Sequence, residues 1–232
     1  MNLRLFIVYA TLVSTGFAGQ ALAHGYITTE KIAQHVPECI TPAANTFKCA
    51  RGIEREKLTE SRGQAMRKEG ALRVRLMNQP LTLTDNETED GNASVAFSYL
   101  GFDKRLNIHI IHVQRYEGDG YMVINHRSGK QAFPSGYPIA SPDGKNFLSM
   151  SEDMFAGYNP NNIEIWQLAS GRIVKAANFE LEWGPESGDW IDSKSIRVNK
   201  RCFAPTESNP TALKPCGIAN IKLLNKKWKL FE

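Results

Sequence analysis

Beyond its first two dozen residues the chain has no apolar run approaching the ~20 residues needed to cross a bilayer, so no later segment is expected to span one. It has no glycine-rich phosphate loop, no dinucleotide fingerprint and no nucleophile elbow. The sequence therefore offers no motif for nucleotide-dependent or serine-nucleophile chemistry. Charge of one sign is scarce as well: 28 Lys and Arg stand against 24 Asp and Glu, a formal net charge of +4. A mixed, mildly basic balance gives no indication of a nucleic-acid binder. Cysteine is limited to four residues and none forms a C-x-x-C pair, which argues against a structural zinc site.

What is present begins with the leader MNLRLFIVYATLVSTGFAGQALA. Arg4 is its only charge, Leu5–Val13 is apolar, and Ala21-Leu22-Ala23 matches the small-residue cleavage pattern. These features predict a secretory signal peptide over 1–23 and a periplasmic or secreted protein with no membrane anchor after cleavage. His24, not cysteine, follows the cut, so no lipid anchor is suggested. The remaining 24–232 are enough for one domain with a core, or one domain plus a small appendage. In an oxidising compartment an even cysteine count favours disulfides. Three connectivities are open, and the preferred one joins near neighbours, Cys39 to Cys49 and Cys202 to Cys216.

Residues 24–93 read as an irregular to helical segment carrying a disulfide. Pro37 and Pro42 interrupt its start. The stretch 51–77 holds eight basic and four acidic residues, with a loose helical period in Ile53, Leu58, Ala65, Met66 and Leu72. It predicts one or two short surface helices. Its charges fit a solvated helix face better than an arm that meets an acidic partner. Residues 84–93 form an acidic, turn-rich connector.

From Ser94 to the end, short runs rich in branched and aromatic residues alternate with Gly, Pro, Asn and Asp turns, the grammar of antiparallel sheet. Strands are expected at 95–100, 106–114, 121–125, 137–140, 146–150, 163–168, 173–179 and 195–198. The tail 217–232 fits a last strand or a short helix. There is also a weak internal repeat: 121–130 aligns with 163–172, each a run followed by Ser-Gly and a basic residue. SPDGKNFLSM at 141–150 has a counterpart in WIDSKSIRV at 190–198. Strand, Ser-Gly turn, SPDGK turn and strand resemble the blades of WD40-like and TolB-like β-propeller repeats, whose period is ~40–45 residues. The stretch 120–201 is also similar to uncharacterised exported bacterial proteins. The resemblance implies a mainly β fold: an antiparallel meander of blade-like hairpins, a partial or degenerate propeller, with a disulfide-pinned C-terminal extension. It places Phe147 and Trp166 between blades and implies no activity.

Four groups of residues carry candidate chemistry. Cleavage before His24 would expose an amine and an imidazole on one residue, and with His109, His112 or His126 these would make a three-nitrogen copper site. Exported copper polysaccharide monooxygenases resemble this start. His109 and His112, three apart in one strand, face opposite sides and read as partly buried strand histidines bonded to backbone or water. The acidic segments Glu117–Gly120 and Ser151–Asp153 read as turns rather than as a carboxylate pair or a calcium loop. Met154–Pro160, and Trp183-Gly184-Pro185 with Trp190, are aromatic loops suited equally to recognition or to covering the sheet ends. No catalytic residue, metal ligand or cofactor is assigned. The expected function is a non-catalytic binding module for a protein or small-molecule partner. The alternatives are a copper-dependent oxygenase using His24, or a periplasmic inhibitor or immunity protein.

Overall fold

The computed structural model describes residues 36–40, 46–86, 94–115 and 118–232. The leader 1–23, His24, Glu117 and most of the acidic connector lie outside the described residues. The first described elements are a short helix α1 (Pro37–Ile40) and a longer α2 (Thr46–Glu60). The preferred cysteine pairing is present, with Cys39 joined to Cys49 and Cys202 to Cys216. The first bond ties α1 to α2. Gly52 permits their close approach, because a Cβ there would sit 2.5 Å from Val36 Cγ1. Among the described residues no helix is long and apolar enough to cross a membrane.

Among the described residues, the regular elements after α2 are antiparallel strands. A three-stranded sheet holds β1 (Ala65–Lys68), β2 (Ala71–Val74) and β3 (Leu81–Thr84). A second holds β4 (Val95–Asp103), β5 (Ile108–Arg115), β6 (Asp119–Asn125) and β7 (Gln131–Ala132). The third holds β8 (Ile139–Ala140), β9 (Asn146–Ser151), β10 (Asn162–Ala169) and β11 (Arg172–Glu180). The fourth holds β12 (Gly184–Asp192), β13 (Ser195–Phe203), β14 (Leu213–Leu224) and β15 (Lys227–Phe231). Each sheet is a meander in chain order, so every connection within it is a hairpin.

Period-2 alternation puts successive side chains on opposite faces of a strand, and consecutive sheets share apolar layers. Leu72, Val74, Ile111, Val113, Met122 and Ile124 fill the layer between the first and second sheets. Ile108, Ile110, Val123, Phe147 and Trp166 fill the next one. There Phe147 and Trp166 stack with ring centroids 5.9 Å apart. Leu148, Met150, Ile163, Ile165, Ile196, Val198 and Ile221 fill the layer between the third and fourth sheets. The two central sheets thus bury both faces, which explains the unbroken burial of β5 from Ile108 to Gln114.

The repeat seen in the sequence has a topological meaning. Asn125–Lys130 and Ala169–Arg172 both connect the third strand of a sheet to its fourth. The two turns touch, with Ser128 Oγ donating to the Gly171 carbonyl at 2.5 Å. Residues 141–145 and 193–194 both connect a first strand to a second. In the former, Asp143 Oδ1 accepts from Ser141 Oγ and from the Lys145 amide, and Gly144 takes φ +66°. A Cβ at Gly144 would lie 2.8 Å from the Arg105 carbonyl, so glycine is required by space as well as by φ.

The N-terminal third differs from expectation. A helix covers Thr46–Glu60, but a three-stranded sheet stands where further helix was expected. The charges of this stretch are not merely solvated. Glu54, 2% exposed, accepts from Arg51 at 3.1 Å, from Arg67 and from the Tyr99 amide at 3.0 Å. Asp85 binds the same two guanidiniums and the Phe97 amide. Two arginines and two carboxylates thus join α2, the first sheet and β4. Once one partner is buried in such a network the others are obligatory, since an unpaired buried charge is costly. The tail is the hairpin β14–β15. Asn225 and Lys226 both take positive φ there, as a two-residue type I′ turn requires.

Candidate functional site

The loop between β9 and β10 unites three segments that looked unrelated in the sequence: Asp119, Ser151–Asp153 and Met154–Pro160. Asp153 is 6% exposed and sits beneath the loop. Its Oδ1 accepts from the amides of Ala156 and Gly157, each at 2.9 Å. Its Oδ2 accepts from the amides of Tyr158 and Asn159, each at 2.8 Å. Four consecutive backbone donors therefore converge on one carboxylate. Hydrogen bonds to a charged acceptor contribute ~1.5–3 kcal/mol each and are not additive. Gly157 has φ +69°, which turns the chain over the carboxylate.

Both ends of the loop are fastened to neighbouring sheets. Asn159 accepts from the Asp119 amide at 3.1 Å and donates to Asp119 Oδ1 at 3.1 Å. Asp119 Oδ2 is in turn 2.6 Å from His112 Nε2. Gly118 leaves room for this, because a Cβ there would meet Asn159 Oδ1 at 2.9 Å. At the other end Asn161 Nδ2 donates to the carbonyls of Leu181 at 2.7 Å and Trp183 at 3.2 Å. The loop is thus held by the second sheet on one side and the start of the fourth on the other.

The side chains this frame displays are apolar. Phe155 is 46% exposed and Tyr158 58%. Phe155 lies 5.6 Å, centroid to centroid, from Phe203, the 52%-exposed last residue of β13 beside the Cys202–Cys216 bond. Three exposed aromatics thus sit on a backbone that is already ordered. The second aromatic segment went the other way. Trp183 is buried, its Nε1 donating to Glu232 Oε1 at 2.6 Å. Trp190 donates to the Ile139 carbonyl at 2.9 Å and meets Trp228 edge-on.

The histidines form two separate arrangements on opposite faces of β5. His112 belongs to the Asp119 support just described. His109 is fully buried and lies in a chain, with Tyr99 Oη 3.2 Å from its Nδ1 and His126 Nδ1 3.0 Å from its Nε2. Burial, reinforced by electrostatic repulsion from the neighbouring His126, pulls the His109 imidazole down to about 4. Burial also pushes the Tyr99 phenol well up. His109 is therefore neutral at physiological pH, one nitrogen donating and the other accepting. These histidines were expected to bond to backbone or water; His109 does meet the Arg75 backbone, and both also bond to side chains. His24 lies outside the described residues, and all three rings proposed to complete a copper site with it already have side-chain partners. Among the described residues no three His, Cys, Asp or Glu side chains group as a metal site.

No protein-family model matches the chain, and no curated protein matches it. The loop's geometry therefore carries the functional reading.

Proposed function

We propose that this is an exported, non-catalytic binding protein, built as a degenerate propeller-like row of blade-like meanders, which recognises a protein or small-molecule partner with Phe155, Tyr158 and Phe203. The observation that carries the reading is the buried Asp153 carboxylate gathering four loop amides beneath exposed aromatics. Aromatic side chains supply large contact area at low conformational cost. A loop ordered before binding does not lose that freedom on association. Burying a charged carboxylate is expensive unless it is fully bonded, and here it serves to fix a loop that displays greasy side chains to water. The leader and the two disulfides support export.

The test is capture on immobilised exported protein from the same compartment's proteins and glycans. The native chain retains a partner, while Phe155→Ala with Tyr158→Ala retains at least tenfold less and unfolds at the same denaturant concentration. Equal retention by both would remove the loop from the function.

A further inference from the structure

A second surface, remote in sequence from the aromatic loop, has the chemistry of an anion site. It surrounds the turn Ser61–Gln64 that connects α2 to β1. On one side of that turn lies a cleft of about 330 Å³ lined by Gln64, Met66, Arg73, Arg75, Asn78 and Gln79 among others. On the other lies a cleft of about 430 Å³ whose charged lining is Lys57, Glu60, Arg62 and Lys104. Gln64 lines both.

The arginines are placed by strand geometry. Leu72 and Val74 point into the layer between the first two sheets and are fully buried. Arg73 and Arg75, on the alternate positions, project together from the other face. No carboxylate lines their cleft, and neither makes an ion pair among the described residues. Two guanidiniums side by side repel, and nothing in this cleft offsets it. The contrast with Arg51 and Arg67 is sharp: Glu54 of α2 and Asp85, just after β3, neutralise those two. In the adjoining cleft Glu60 is engaged by Lys57 at 2.7 Å, which leaves Arg62 and Lys104 without a counter-charge. Around one turn, five cations face one carboxylate, in a chain whose overall balance is nearly even.

The frame is firm. The Arg75 amide donates to the Gln64 carbonyl at 2.8 Å, and the Met77 amide to the His126 carbonyl at 3.0 Å. The amides of Gln64 and Gln79 supply further donors on the rim. A planar guanidinium offers two parallel donors to a carboxylate or phosphate, so a pair of them with amides is suited to oxyanions.

We propose that Arg73 and Arg75 bind the oxyanion of a ligand carrying more than one carboxylate or phosphate, with Arg62 and Lys104 receiving its second charge across the turn. This does not depend on the aromatic loop. The test is calorimetric titration of the exported chain with pyrophosphate and, separately, with citrate, at ~0.15 M salt, where exposed charges more than a Debye length apart are screened. At least one probe is expected to bind with a Kd at or below ~1 mM. Binding by pyrophosphate alone identifies a phosphate ligand, by citrate alone a carboxylate ligand, and by both a site that reads charge. Arg73→Gln with Arg75→Gln should weaken binding at least tenfold. Arg73→Lys with Arg75→Lys keeps the charge and should still lose most of the affinity, which covers the case in which the glutamine pair fails to fold. Failure of both probes to bind would overturn the proposal. So would an equal loss in Lys222→Gln with Lys229→Gln, on the fourth sheet, because that would reduce the effect to net charge.

Discussion

Met154–Pro160 and Trp183-Gly184-Pro185 with Trp190 are alike on paper: glycine, proline and aromatics. In the folded chain they are opposites. The first keeps its backbone satisfied from within, by Asp153, and is free to show its rings to water. The second satisfies its backbone by pairing as β12 with β13, and strand geometry then turns Trp190 inward against Trp228. What decides whether an aromatic is core or contact surface is thus how the nearby backbone amides are satisfied, not the aromatic residue itself.

The comparison can be broken from either side. The largest expected effect is Trp190→Ala, which empties part of the layer between the third and fourth sheets and removes the indole's bond to the Ile139 carbonyl. It should cost ~3–5 kcal/mol in denaturant unfolding and leave partner affinity per folded molecule unchanged. Asp153→Ala should come next. It strands four amides and should cost ~3 kcal/mol, with loss of partner capture. A loss of affinity in Trp190→Ala equal to that in Asp153→Ala would dissolve the distinction between the regions.

Acid offers a contrast that neither region shares. His109 has a folded pKa of about 4 against an ordinary value of 6.5, so between these the unfolded chain binds more protons. Stability tied to His109 is complete above 6.5 and falls as pH drops towards 4, by ~3 kcal/mol. Subtracting the pH profile of His109→Gln from that of the native chain should isolate this slope, and Tyr158→Ala should retain it. A flat difference would show that His109 is not buried neutral. The smallest stability effect is Tyr158→Ala itself, within ~0.5 kcal/mol as for exposed positions generally, yet with partner capture lost.

Much of the β region was legible because its signals are local. Ser170-Gly171 and Pro142-Asp143-Gly144 carry their turn chemistry in two or three residues, and the alternation of β4 and β10 needs no partner to be recognised. β1 to β3 were missed because they are four residues each and carry charge on both faces, with Arg67 turned inward to Glu54 and Lys68 outward, so their pattern passes for a weak helix. β12 was missed because Gly184, Pro185 and Gly188 all disfavour strand, and only pairing with β13 makes it one. The tail was ambiguous until the Asn225-Lys226 turn defined a hairpin. At the site, the aromatics were visible and their support was not. The sequence shows Asp153 as one acid among several, whereas its function lies in backbone amides that converge only after folding. The one available signal, an acid followed four residues later by Gly157, is common in ordinary turns.

The central claim is that an exposed aromatic loop is ordered by a buried carboxylate before any partner arrives. Amide hydrogen exchange at Ala156, Gly157, Tyr158 and Asn159 tests it most directly. In the free native protein these four amides should exchange well below the rate of unstructured chain, although the side chains around them are exposed, and Asp153→Ala should release all four together. Exchange at the unstructured rate in the native protein would contradict the account.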